Sequence, residues 1–242
     1  MKTFLFVIIV IASGTAAGVV QGGMNLIFVE PSLDQAIGIE NQHLFAKGEA
    51  EDNSEFWIKY DGYRIWQKSG QVLAGAILGA SIGSLFGIVF AFSKNSLPGK
   101  TTVQKSLILA GIMWLTVYLI PFLKYPGNPP GVGESETVVL RGILYLTFIA
   151  LSGFGALGFY KLSKKLKTKK LIAVAGYATF IGIAFIVMPQ NHDPITLSMD
   201  LINSFRMMSA FTVSVYWISL GLFLGFLWNY YKPDKEISSS FH

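Results

Sequence analysis

Apolar residues in this chain come in long unbroken runs, separated by charged, glycine-rich or proline-rich stretches. A hydrocarbon core about 30 Å thick takes roughly 20 apolar residues of helix to cross. Six windows of that length stand out, at about residues 4–29, 70–92, 104–123, 138–160, 170–189 and 207–231. Membrane barrel strands would read as short alternating segments, and these runs do not alternate. The pattern predicts an all-α, polytopic transmembrane bundle of about six helices, a single integral membrane domain over 1–242. The one sizeable connection is an outer loop at 32–69, in which 33–44 has the pattern of a short amphipathic helix.

The first run opens with Lys2 and an apolar stretch at 4–12, the form of a secretory leader. Its apolar character continues to Val29, which makes it a span. Gly14, Gly18 and Gly22 recur every fourth residue on it, as do Gly75, Gly79, Gly83 and Gly87 on the second run. Each set lines one helix face and permits close approach, to the other or to a partner subunit. Gln21, Asn25 and Glu30 trace a polar track toward the outer end of the first helix. Such a track is costly in lipid unless it meets a partner or a water-filled path. It reads as the mouth of a cation route or as a set of interhelical hydrogen bonds.

Residues 125–133 read Tyr-Pro-Gly-Asn-Pro-Pro-Gly-Val-Gly. With Pro126, Pro129 and Pro130 and the glycines between them, no helix continues here. The first, third and fifth helices end at prolines (Pro31; Pro121 with Pro126; Pro189). The second, fourth and sixth begin near Arg64, Arg141 and Arg206. This is the pattern of three helical hairpins opening to one side. It would gather the three arginines at an outer mouth, to pair with Glu30, Glu134, Glu136 or Asp200. The aromatic cluster Phe56, Trp57, Tyr60, Tyr63 and Trp66 fits an interfacial belt.

Composition supports the membrane class: 52% hydrophobic and 14% charged residues, with mean hydropathy +0.51, are too apolar for a soluble domain of this length. The net charge of +5 is divided by side. The connections near 93–106 and 161–170 carry lysines and no acid, which places them and both termini in the cytoplasm of a cell (cytoplasmic) membrane protein. The segments on the other side hold seven Lys/Arg against twelve Asp/Glu, an acidic outer face. The lysine runs are topology signals, so no nucleic-acid partner is expected. There is no cysteine, which excludes disulfides, thiolate metal sites and thiol catalysis.

For a borderline divalent cation the ligand inventory is imidazole, carboxylate and amide oxygen. The outer segments offer His43, His192, Asp193, Glu30, Glu40 and Asn128 as a loose capture site. No closed-site spacing is present. No nucleophile elbow, Walker loop or HExxH motif occurs, and no predicted helix centre carries a titratable Asp, Glu, Lys, Arg or His. The chain is therefore read as a non-enzyme without a nucleotide-driven motor.

Residues 124–137, Lys-Tyr-Pro-Gly-Asn-Pro-Pro-Gly-Val-Gly-Glu-Ser-Glu-Thr, with Arg141 beyond, resemble the central signature of the CbtA family of probable cobalt-transporter membrane subunits. The glycine-rich first helix with Phe28-Val-Glu-Pro31 is similar to the start of that family. The final stretch through Phe205, Tyr216-Trp217, Gly221 and Gly225 is similar to its end. The resemblance implies a subunit of a cobalt uptake transporter supporting cobalamin synthesis. It also implies a small single-helix, histidine-rich partner (CbtB), which would leave metal capture to that polypeptide as well. No permanently bound cofactor is implied; cobalt or another divalent cation is cargo. The competing reading is a non-transporting structural or assembly subunit of a larger membrane complex or homo-oligomer.

Overall fold

The computed structural model describes residues 2–165, 170–191 and 194–234. Lys167 and Lys169 of the lysine-rich connection, His192, Asp193 and the tail ending at His242 lie outside the described residues. The elements are α1 (Thr3–Phe28), α2 (Glu30–Lys47), α3 (Ser54–Ser93), α4 (Thr102–Met113), a π-helix (Trp114–Leu119), α5 (Ile120–Lys124), a 3₁₀ turn (Ser135–Thr137), α6 (Val138–Lys165), α7 (Lys170–Val187) and α8 (Met199–Tyr231). α4, the π-helix and α5 run on as one apolar span, Thr102–Lys124. Five spans are long and apolar enough to cross a bilayer, and α7 is a shorter apolar helix, in keeping with about six transmembrane helices. The described residues contain no β-strand, only a two-residue bridge. They pack as two compact units, one of residues 1–111 with the chain from 207 onward, the other of residues 112–206.

In the first unit the two glycine faces meet each other. Gly14 faces Gly79 and Gly83, Gly18 faces Gly75 and Gly79, and Gly22 faces Val72, so α1 and α3 run antiparallel at close quarters. A methyl group on Gly75 would stand 2.7 Å from the Gly18 carbonyl oxygen, and one on Gly22 2.8 Å from Val72 Cα. Those neighbours are backbone and cannot swing aside. In lipid, where burial of apolar surface gives little drive, such close backbone contact is what holds helices together. α8 completes the unit through aromatic edges: Trp228 meets Phe6 and Phe90, with centroids 5.8 and 5.2 Å apart, and Trp217 meets Phe86. Gly221 and Gly225 let α4 approach α8 through Ala110 and Val103.

The expected loop at 32–69 is instead two helices joined by a short turn. α2 follows α1 almost without a break, with Pro31 in its first turn, where a missing N–H costs nothing. It takes in the whole of the helix expected at 33–44 and continues three residues further, to Lys47, stopping at Gly48, φ 70°. α3 begins at Ser54, sixteen residues before the apolar run, because Asn53 caps it by accepting the Phe56 N–H at 2.9 Å and Glu55 lies in the first turn. A hydropathy window does not see this start, since the helix is polar there. At 40 residues, α3 is about 60 Å long, twice a bilayer core, so its first turns stand beyond the hydrocarbon beside α2. Phe45 of α2 packs on Phe56 and Trp57 of α3 at the tip of this hairpin.

In the second unit α6 and α7 are fitted ring to glycine: Phe180 lies over Gly155, and Phe159 over Gly176. Ser152 and Tyr177 share a hydrogen bond of 2.7 Å. Phe148, fully buried, takes Phe185 and Tyr125 edge-on. Outward-facing positions are apolar, among them Leu146, Phe154, Ile183 and Ile186, as lipid contact demands.

Candidate functional site

Two polar constellations stand out, one in each unit. In the first, Glu30 opens α2 and Arg64 lies ten residues into α3; each is only 5% exposed. Arg64 donates to Glu30, to Asp34 Oδ1 at 2.6 Å and to Gln67. Lys68 Nζ lies 2.7 Å from Asp34 Oδ2 and 3.8 Å from Glu30. Glu30 and Asp34 are four apart on α2, as Arg64 and Lys68 are on α3, so a carboxylate pair faces a cation pair. Taking such ions out of water costs several kcal/mol apiece; the formal charges here cancel, which makes burial tolerable. Burial pushes the Asp34 carboxyl up, but hydrogen bonds from Lys68 and Arg64, with their charges, outweigh this and hold it below its ordinary value.

The second constellation is the proline-rich turn at 125–133, tied down from three sides within its unit. The Tyr125 hydroxyl donates to the Pro189 carbonyl at 2.6 Å, and Val132 forms an antiparallel bridge with Ile195. Thr196 donates to the Gly131 carbonyl. Arg206 donates to Asn128 Oδ1 at 2.6 Å and to the Gly127 carbonyl at 3.4 Å. Arg141 donates to the carbonyls of Glu134 and Val132 at 3.1 and 3.5 Å. Pro129 is fully buried, while Pro126 and Pro130 are partly so. Gly131 and Gly133 hold φ of 78° and 91°, left-handed positions that glycine takes without strain. The two short loops read from sequence as lying on one face are therefore joined to each other.

The sequence-derived ligands are dispersed. Glu30 is buried against Arg64 and the Asn128 oxygen is taken by Arg206. Glu40 is half-buried and His43 exposed on α2, three residues apart and so on neighbouring positions of one face. Among the described residues no three of His, Asp and Glu come together as a set that could hold a metal ion. Of the anticipated arginine pairings, Arg64 with Glu30 is present. The hydrogen bonds of Arg206 go to loop oxygens, and those of Arg141 named above go to backbone carbonyls. The sequence reading missed Asp34, Gln67 and Lys68, although the spacing of 30/34 against 64/68 was available as a signal. It also missed that Tyr125 and Thr196 join the two loops.

The family model described as probable cobalt transporter subunit (CbtA) matches residues 4–229, which takes in both constellations and every described transmembrane helix but the first residue of α1 and the last two of α8. No curated protein matches the chain, and no solved structure does. A helical membrane architecture and a match over nearly the full length agree, and the chain belongs to the CbtA family of probable cobalt transporter subunits.

Proposed function

We propose that this chain is the membrane subunit of an uptake transporter for a divalent cation, cobalt, and that it works in a complex. The observation that carries this is the family match over residues 4–229. The distribution of charge supports an orientation with α2 and the first turns of α3 outside and both termini in the cytoplasm of the cell membrane. In this reading the acidic outer segments draw cations to the rim. His43 and Glu40 on α2 receive them there, while Glu30 and Asn128, engaged by arginines, serve the scaffold first; His192 and Asp193 are further candidate ligands by residue type alone. A small histidine-rich single-helix subunit is the partner the family suggests, and the metal passes as cargo rather than residing as a cofactor.

The alternative, a non-transporting assembly subunit, drew on glycine faces free to dock other helices. Those of α1 and α3 are engaged with one another, which takes that support from it. The test is accumulation of radioactive cobalt by vesicles with and without the chain, and with the His43→Ala/His192→Ala double variant. Cobalt entry that depends on the chain supports the reading, and a severalfold loss in the double variant supports the capture site. Equal accumulation with and without the chain and its partner overturns transport.

A further inference from the structure

The third span contains a break. Trp114–Leu119 is π-helical, and the N–H of Ile120 goes to the Leu115 carbonyl, five residues back. In an α-helix that N–H would serve Thr116. In a continued π-helix Thr116 would be served by residue 121, but residue 121 is proline and has no N–H. The Thr116 carbonyl is thereby left without a donor in its own helix. The Thr116 hydroxyl does not supply one; it donates to the Ile112 carbonyl at 2.9 Å. On the same π segment the Tyr118 hydroxyl is shielded from solvent and has no hydrogen-bond partner among the described residues. One short stretch, about two turns inside the end of an apolar span, thus holds a carbonyl without a donor from its own helix and a hydroxyl without a hydrogen-bond partner among the described residues. In hydrocarbon each costs several kcal/mol, and backbone of this kind is tolerated where it is buried in protein or lines a water-filled path.

Resting on the transport reading above, we infer that the Thr116 carbonyl is a cation-coordinating group on the translocation path, in the second unit of the fold. The ligand class is a partly hydrated divalent cation that takes neutral oxygen ligands. The charged residues of this span are Lys105, at the opposite end from the break, and Lys124, at its near end, whose ammonium donates to the Phe185 carbonyl at 2.7 Å; the span carries no carboxylate. Any stabilisation a cation receives from this part of the span comes from dipoles. Neutral carbonyl ligands also suit passage, since binding must be weak enough to release. Proline and the π turn together keep the carbonyl from being recaptured by the helix.

The experiment is to restore the missing donor. Full-length protein with its partner, carrying Pro121→Ala or Pro121→Ser, is reconstituted in vesicles beside wild type, and cobalt entry is measured with Tm of the same preparations. The expected result is at least a tenfold slower entry with Tm equal or higher, because a mended helix is a firmer one. Gly111→Ala, on the same span with nothing within 4 Å of the added Cβ, stays within twofold of wild type. Entry within twofold of wild type in both proline variants overturns the inference. Loss of fold in both also overturns it, since the proline would then be needed for structure. If wild type itself moves no cobalt, the transport reading fails and this failure is told apart by the wild-type arm alone.

Discussion

Arg64 and Glu30, 34 positions apart, bury a guanidinium against a carboxylate at the point where α1 gives way to α2. Neither ion can be left alone there. Removing one partner of a buried pair costs about 3–5 kcal/mol, whereas replacing both by apolar groups is often neutral. We expect Arg64→Met and Glu30→Leu each to lower Tm in detergent by many degrees, and the double substitution to recover most of the loss. A double variant as unstable as the sum of the singles would show that the two side chains act independently.

Asp34 sets a direction with pH. Its folded carboxyl is held below the ordinary value of 3.8 by Lys68 and Arg64. A depressed folded pKa contributes stability above the unfolded value, and that contribution is lost as pH falls through the lower folded one. Wild type should therefore be more stable than Asp34→Asn at pH 7 and at pH 5, and the difference should shrink below about pH 4. Because the Asp34 side chain is 44% exposed, screening by solvent keeps the effect small, and the difference should be larger at low salt than at high. A gap that is constant from pH 7 to pH 3 would assign it to packing instead.

The count of spans was legible because a hydrocarbon slab imposes one length on every crossing helix. The α2–α3 hairpin was not, because its helices are held by a cap at Asn53 and by ions rather than by an apolar run. The glycine faces of α1 and α3 could be read from spacing, but the choice between each other and a foreign helix is made by packing. Proline density marked 125–133 as a turn. That it joins the loop near Pro189 and Ile195 rests on a backbone bridge and on the Tyr125 and Thr196 hydroxyls, whose acceptors are backbone carbonyls that leave no trace in side-chain identity. The π-helix was marked only by Pro121 inside an apolar run.

Substitutions at the α1–α3 seam should discriminate sharply between glycines. Gly79 has the Gly14 carbonyl and Gly18 backbone against it, whereas Gly23 has nothing within 4 Å of an added Cβ. Gly79→Leu should abolish the folded state. Gly23→Ala should leave it unchanged or firmer by about 1 kcal/mol, the gain in helix propensity. Protease resistance of the two variants in detergent gives the comparison. Equal behaviour would mean that the seam is not held by backbone contact.

The clasp on the proline turn is measurable as a coupling. Arg206 offers a charged donor to Asn128, a class of hydrogen bond worth about 1.5–3 kcal/mol. A double-mutant cycle of Arg206→Met and Asn128→Ala should return a coupling of about 1–3 kcal/mol in unfolding free energy. Tyr125→Phe, which removes only the bond to the Pro189 carbonyl, should cost about 1 kcal/mol. A coupling indistinguishable from zero would leave the turn held by its prolines alone.

The proposed orientation rests on charge alone and is open to direct measurement, because a chain with no cysteine accepts single reporters without background. Asn53→Cys lies at the tip between α2 and α3, and Ser96→Cys follows the other end of α3. In intact cells an impermeant maleimide should label the first and spare the second until the membrane is opened. Asn128→Cys on the proline turn should behave as Asn53→Cys does, provided the weakened clasp still leaves the fold intact by Tm. The lysine-rich connections then face the cytoplasm, as the positive-inside rule requires. The reverse labelling would place the acidic segments in the cytoplasm, where they would meet exported rather than imported cations.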